Sequence, residues 1–476
     1  MALPIVAVTH VQEAGPRMRP SRVGWGPKTH VTPSARACFQ TATERGEFSV
    51  SAQPDRVTDA ASLRQAIEQN RKKIEIEGTI SDLDSFRLPP GTRLRGASDY
   101  AELRFKQGQP GLMLSSDSQV ADVRLVTDET QIALGLADDT ANLGTLTLSN
   151  IRTVGRFHLE AAQAQQGNLK LRTIHVERAD ARIAAHRPTG FGVEVLLGGL
   201  TILNSSKDPS SRWTLDVRNL SGGSEHQPLR GSGVFIFGGA FIPTDADMAQ
   251  APAPTRAGGS IALKHLTTGE VHSDGGIPAG IGNLITGGVF VGSGVVADEV
   301  VNEGPVTTYG ANDMVLDNWG EVKRWTAKAP VTSHGNSGIG FVNFGKICDL
   351  AVDAPIETNG LGARGFNLYD GSLETATFQS ITTHGDGAIG VQISKPFGTI
   401  TVTGEIRTTG GEGDSLVRGK VVRLKAHALS LKPGAEGEAL TVAGEAVAED
   451  EAVPDLDFEA PATVIGRLEI AGNRLG

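Results

Sequence analysis

The sequence predicts an all-β chain wound as a parallel solenoid, and three observations carry that prediction. Six residues recur five times, each copy 25 residues after the last: PVTTYG (305–310), PVTSHG (330–335), PIETNG (355–360), SITTHG (380–385) and EIRTTG (405–410). Glycine supplies 60 of 476 residues, well above its usual share of about 7%. Aromatic residues make up only 5% of the chain, which suits many short strands and tight turns better than packed helices.

Each repeat divides into three strands. The first is the hexamer itself: Val306, Val331, Ile356, Ile381 and Ile406 share a column, Thr308, Ser333, Thr358, Thr383 and Thr408 the next inward one, and a glycine closes each copy. In the second, Leu316, Phe341, Phe366 and Val391 form an apolar column beside Asp317, Val342, Asn367 and Gln392. Side chains alternate along a strand, so the first column is expected to point in and the second out. The third strand closes the unit, as in ICDLAVDA (347–354) and GTITVTGE (398–405). One such unit cannot bury its own apolar face, and stacking on the next unit does so. A β-propeller blade needs about 40–45 residues, so the period favours a solenoid.

The remaining elements follow in chain order. Residues 1–54 read as an irregular N-terminal segment. TDAASLRQAIEQN (58–70) reads as a capping helix within 55–73, with Thr58 or Asp59 as its cap and Leu63, Ala66 and Ile67 on one face. The solenoid is expected over 74–444, beginning with IEIEGTI, TRLRGA, AELRF and ADVRLVT. FGVEVLLGG (191–199), SGVFIFGG (232–239) and GGVFVGSG (287–294) resemble the second-strand pattern at longer spacing, and VHSDG (271–275) resembles VTSHG. The Pro/Ala-rich stretch 242–259 is expected as an inserted loop. Residues 445–476 read as an acidic loop, with seven acids in 445–459, followed by C-terminal strands.

This order, a helix, then KKIEIEGTI, LPPGTRLRGA and coils, resembles the right-handed parallel β-helix proteins of the pectin-lyase-like group. The resemblance covers about residues 55–430 and is architectural. It implies that fold, with three strands per coil and an N-terminal helical cap, and a leaning toward polysaccharide chemistry. It assigns no family within the group and no catalytic residue.

A solenoid presents straight outward columns along which a linear polymer can lie. The first polar column precedes the repeat glycine: Tyr309, His334, Asn359, His384 and Thr409, with Asp274 upstream. Histidines and a carboxylate there can exchange protons, although turn positions are commonly polar without a function. The second joins Asp317, Asn367 and Gln392 to an aromatic column of Trp319, Phe344 and Tyr369, which together would stack sugar rings and bridge hydroxyls. The alternative is that those aromatics pack beneath a neighbouring turn. The candidate acids are Asp313, Asp317 and Asp386, with His334 and His384 assisting. Tyr309, Trp319, Phe344, Arg364, Asn367, Tyr369 and Gln392 are the candidate substrate-binding residues. Acids one coil apart would lie about 5 Å from each other and suit a retaining glycosidase, and two coils would approach the inverting separation. Glu303, Lys328 and Asp353 read as a solvated charge ladder.

The net charge is −10 and no Lys/Arg run of five occurs, which argues against nucleic acid and anionic membrane as partners. No stretch approaches 18 apolar residues. The chain start has no basic stretch followed by a long apolar core, so a cytoplasmic protein is expected, or an extracellular one if a leader has been removed. Cys38 and Cys348 are the only cysteines and imply no disulfide framework. No Walker A, CxxC or HExxH motif is present, and neither a metal nor a cofactor is expected. Assembly as a trimer through the solenoid flanks has no support in the sequence. The expected function is a carbohydrate-active enzyme that cleaves or transfers glycosidic bonds of a poly- or oligosaccharide. A polysaccharide lyase is the first alternative, with Lys395, Arg407 and Arg418 as possible cations. A non-catalytic glycan-binding or structural solenoid is the second.

Overall fold

A computed structural model describes residues 53–98, 101–184, 187–239, 258–278, 280–417 and 420–475. Most of the loop expected at 242–259, together with Cys38 and Arg418, lies outside them, as does nearly all of the irregular segment expected over 1–54. The described chain is nearly all β, with a 25-stranded and a 15-stranded sheet built from parallel ladders. This architecture is compatible with a parallel β-helix.

The 25-residue offset is a pairing register. Val306 pairs with Val331, which pairs with Ile356, and the ladder continues through Ile381 to Ile406. A second ladder joins Asp313–Asn318, Ile339–Asn343, Arg364–Leu368 and Ile389–Ile393. A third joins Glu321–Ala327, Lys346–Val352, Ser372–Phe378 and Phe397–Val402. Each repeat therefore gives one strand to each ladder, and equivalent residues become neighbours about 4.8 Å apart.

Leu316, Phe341, Phe366 and Val391 are paired in sequence along the second ladder and are at most 1% exposed. Around them Trp325 meets Phe341 at 5.1 Å and Phe366 meets Phe378 at 4.7 Å between ring centroids. Polar groups in this core are partly accounted for by neighbouring rungs. Asn318 donates from Nδ2 to Asn343 Oδ1 at 2.7 Å, and Trp325 Nε1 donates to Asn302 Oδ1 at 2.8 Å.

Upstream, first- and third-ladder strands merge into longer ones. Ser260–Asp274 pairs with both Val295–Asn302 and Val306–Thr308. The helix Ala60–Glu68 forms where its pattern predicts, capped by Asp59, whose carboxylate accepts from Ser62 N at 2.8 Å. Its Leu63 and Ala66 are buried at the start of the core. A strand, Asp55–Val57, precedes it and pairs with Lys73–Ile76.

Two features depart from the expected tail. An antiparallel hairpin, Glu412–Val417 with Lys420–Lys425, is inserted after the fifth repeat. Within the stretch expected as an acidic loop, Ala446–Ala448 and Leu456–Phe458 are strands that extend the first and second ladders. The acids alternate with ladder residues there instead of forming one continuous loop. Among the described residues, no helix is long and apolar enough to cross a membrane.

Candidate functional site

The outward column of the second ladder runs Phe290, Asp317, Val342, Asn367, Gln392, in register. It is not the open surface that strand alternation predicts. Asp317 is fully buried and Asn367 and Gln392 are 1% and 8% exposed. A second apolar cluster lies on this outer face, built from Phe235, Phe290, Met314, Trp319, Ile339 and Val342, with residues of the 181–203 segment packed against them.

The covering segment includes a tight hairpin. Thr189–Gly190 pairs with Val193–Val195, which adds in parallel to the strand Leu284–Val291. Its two turn residues, Phe191 and Gly192, both have positive φ, 52° and 84°. Such turns follow the right-handed twist of the strands and normally recruit Asn or Gly. The phenylalanine is explained by its contacts: its ring meets Trp319 at 5.0 Å and Phe344 at 4.7 Å. Of the three aromatics expected to form a saccharide platform, Trp319 lies under this cover and the other two are only partly covered. Trp319 is only 5% exposed, and Phe344 and Tyr369 are half-buried, 4.9 Å from each other.

Two of the three candidate acids are buried. Asp313 accepts from Thr286 Oγ1 at 2.6 Å and from the backbone of Gly275 and Gly310 at 3.0 and 2.8 Å. Burial nevertheless pushes its carboxyl up to about 6; those hydrogen bonds oppose the shift and neighbouring Asp274 adds to it. Asp274 is itself ion-paired with Arg230. Asp317 lies between Phe290 and Val342 with neither carboxyl oxygen hydrogen-bonded. Burial holds it well above the usual carboxylate range. The Trp319 indole N–H opposes that shift from nearby, outside hydrogen-bonding geometry.

Where the cover ends, a cleft of about 70 Å³ opens, with Phe191, Phe344, Arg364, Asn367 and Tyr369 among its walls. Four of the candidate binding residues meet here. Arg364 is 4% exposed, donates from Nε to Gln392 Oε1 at 3.0 Å and from Nη1 to Gly362 O at 3.2 Å. Among the described residues no carboxylate lies within ion-pair reach of it. Burial lowers its pKa to about 10. Neither Oδ1 nor Nδ2 of Asn367 has a hydrogen-bond partner. A second hollow of about 190 Å³ shares Asn312 and Ser337 with the cleft and reaches Asp414 and Val421 of the inserted hairpin.

The turn column stands apart from the cleft walls. His334, His384 and Asp386 are exposed and Tyr309 is half-buried. Tyr309 stacks on His334 at 5.2 Å. His384 Nδ1 meets Thr409 Oγ1 at 3.3 Å and its Nε2 lies 3.4 Å from Glu357, while Asp386 accepts from Gly411 N at 2.8 Å. Asp386 thus braces a turn and is not brought together with Asp313 or Asp317. Lys328 pairs with Glu303 at 2.9 Å, one of the two contacts of the expected charge ladder. Two of the cations named for a lyase are already paired, Lys395 with Asp370 and Arg407 with Glu405 and Glu449.

Sequence reasoning missed Phe191 and the Glu412–Val417/Lys420–Lys425 hairpin, which lie off the 25-residue grid, and Asn312, which lies on it in a column of positive-φ turn residues with Ser337, Gly362 and Gly387. Among the described residues, no group of three or more His, Cys, Asp or Glu is placed to hold a metal ion. Comparison of the chain with family models, curated proteins and solved structures finds no match.

Proposed function

We propose that this chain binds a poly- or oligosaccharide in the cleft beside Phe344, Arg364, Asn367 and Tyr369. One observation carries the reading. Arg364 and Asn367, both almost fully buried, bring to the cleft a guanidinium without a carboxylate and an amide without any partner. Buried polar groups are normally satisfied, and an unpaired amide costs about 1–3 kcal/mol. A ligand rich in hydroxyls and ring oxygens supplies donors and acceptors to both, and the Phe344 and Tyr369 rings offer faces for a sugar ring. The ladders are further read as closing into a right-handed parallel β-helix, because each 25-residue unit gives one strand to each of three ladders.

The test is titration calorimetry of a panel of neutral and acidic oligosaccharides against the wild-type chain and Asn367→Ala. Binding that weakens by about tenfold or more in the variant supports the cleft. Failure of every glycan to bind, or unchanged binding in Asn367→Ala, overturns it.

A second reading, cleavage or transfer of glycosidic bonds, is favoured by Asp313. A carboxyl that titrates near 6 can hold a proton for a leaving oxygen, and Asp274 beside it, paired with Arg230, is the second carboxylate such chemistry needs. Product analysis on wild type and Asp313→Asn separates the outcomes. New reducing ends lost in the variant support this reading. An unsaturated, ultraviolet-absorbing product indicates a lyase, and binding without turnover indicates a non-catalytic solenoid.

A further inference from the structure

A cluster of titratable and hydroxyl side chains outside the cleft lies at the junction of the long strand Ser260–Asp274 with the first repeat. His272 is 6% exposed. Its Nε2 lies 2.6 Å from Glu270 Oε1 and its Nδ1 lies 2.9 Å from the Tyr309 hydroxyl. The imidazole is thus held at both nitrogens. Glu270 is largely exposed, with 62% of its side-chain surface free, and a carboxylate can only accept. In the neutral imidazole that this arrangement allows, the Nε2 hydrogen points at Glu270 and Nδ1 presents its lone pair to the phenol. The phenolic hydrogen points inward, and the oxygen lone pairs of the half-buried Tyr309 are turned away from the imidazole.

We propose that Glu270, His272 and Tyr309 form a proton relay in which Tyr309 is the catalytic residue, a general base toward a hydroxyl of a saccharide or of water at this face. The order is that of a hydroxyl group, a base within hydrogen-bond reach and a third group that orients the base. In the step, the substrate O–H bond breaks as its proton bonds to the Tyr309 oxygen. The Tyr309 O–H bond breaks at the same time, and that proton bonds to His272 Nδ1. Charge is conserved: the substrate oxygen becomes the nucleophile, and the imidazolium formed is stabilised by Glu270. No oxidant, metal or co-reactant is required. Glu270 and His272 act through Tyr309 and are positioning residues.

Burial, with Glu225 and Glu270 adding to it, raises the Tyr309 pKa and opposes loss of its hydrogen, so the transfer to His272 must accompany arrival of the substrate proton. Two further observations fit this assignment. Next to the relay, His175 Nδ1 lies 2.9 Å from Ser221 Oγ, and the Glu270 charge reaches His175 as well. The phenol ring is fixed between His272 and His334, with centroids 6.0 and 5.2 Å away. The relay does not depend on the cleft and stands or falls separately from it.

The experiment uses the full chain and an aryl sulfonyl fluoride, which reacts with activated phenols, with the modified tyrosine mapped by mass spectrometry. The chain has only three tyrosines, so assignment is direct. Tyr309 is expected to react at least about a hundredfold faster than N-acetyltyrosinamide at neutral pH, the lower end of what general-base assistance gives. His272→Gln is expected to bring the rate down to that of the reference compound, and Glu270→Gln to an intermediate value. Reaction of wild-type Tyr309 no faster than N-acetyltyrosinamide overturns the relay without recourse to any variant. Fast reaction unchanged in His272→Gln overturns it too.

Discussion

The outward face of the second ladder holds two regions built on the same parallel ladder with opposite fates. Phe290, Asp317 and Val342 lie in an apolar layer on which the 181–203 segment is packed; one rung further, Asn367 lines a cleft and Gln392 follows it. Backbone pairing does not distinguish them. What differs is whether a non-repeating piece of chain sits on top. A solenoid rung fixes the direction a side chain takes, and an insertion elsewhere in the sequence decides the environment it meets.

The largest effect should come from opening the covered region. Phe290→Ala removes a fully buried ring stacked at 4.8 Å on Phe235 and should cost about 3–5 kcal/mol in chemical denaturation. Gln392→Ala, at the cleft end, removes no packed ring but takes an acceptor from the buried Arg364 guanidinium, and should cost less, about 1–3 kcal/mol. Equal losses at the two sites would erase the distinction.

The second effect is a pH dependence peculiar to the buried acids. Asp313 titrates at about 6 in the folded chain against an ordinary value of 3.8. The folded state therefore binds the proton more tightly. Its contribution, about 3 kcal/mol, is complete below pH 3.8 and is lost as pH rises through about 6. Asp317 extends the loss to higher pH, because its carboxyl is raised as well. Denaturation midpoints across pH 4 to about 7 should fall in wild type and fall less in Asp313→Asn and Asp317→Asn.

A smaller effect concerns the cover itself. Phe191→Asn suits the positive φ of the turn but abandons the contacts with Trp319 and Phe344. Relief of backbone strain and loss of packing oppose each other, leaving a net cost of about 1–2 kcal/mol. Acrylamide quenching of tryptophan fluorescence should rise, since Trp319 loses its lid while Trp213 and Trp325 stay in the core. The smallest expected change is in Arg364→Met. Replacing a buried cation that has no acid partner should leave stability unchanged or raise it by about 1 kcal/mol, while glycan binding in the same sample is lost.

The sequence made the repeats readable because each position reports on its own vertical neighbour. Leu316, Phe341 and Phe366 could be stacked from spacing alone, and so could Glu303 with Lys328. The exposure of Asp317 and Trp319 could not. It depends on Phe191, more than a hundred residues upstream and in no fixed phase with them. The stretch FGVEVLLGG also misleads, because it matches the second-strand pattern as one unit. The chain divides it: Val193–Val195 belongs to the covering hairpin and Gly198–Asn204 to the ladder. Arg364 was legible as a candidate by its type, but its lack of a carboxylate partner emerges only from three-dimensional placement. His272 sits in a segment already matched to the repeat, VHSDG against VTSHG, with Glu270 just before it, and the i, i+2 spacing of an acid and a histidine on one strand face was the available signal.

Register has a consequence for how this molecule can change size. The strand at Val331–Ser333 joins Val306–Thr308 to Ile356–Thr358 through residue pairs of the same kind on either side. Deleting 331–355 therefore splices two compatible edges, and duplicating it inserts a storey between floors that already match. Length along the axis becomes a quantity that recombination can adjust in whole steps, whereas the stretch that carries Phe191 fits one location only and ties that freedom to a single address.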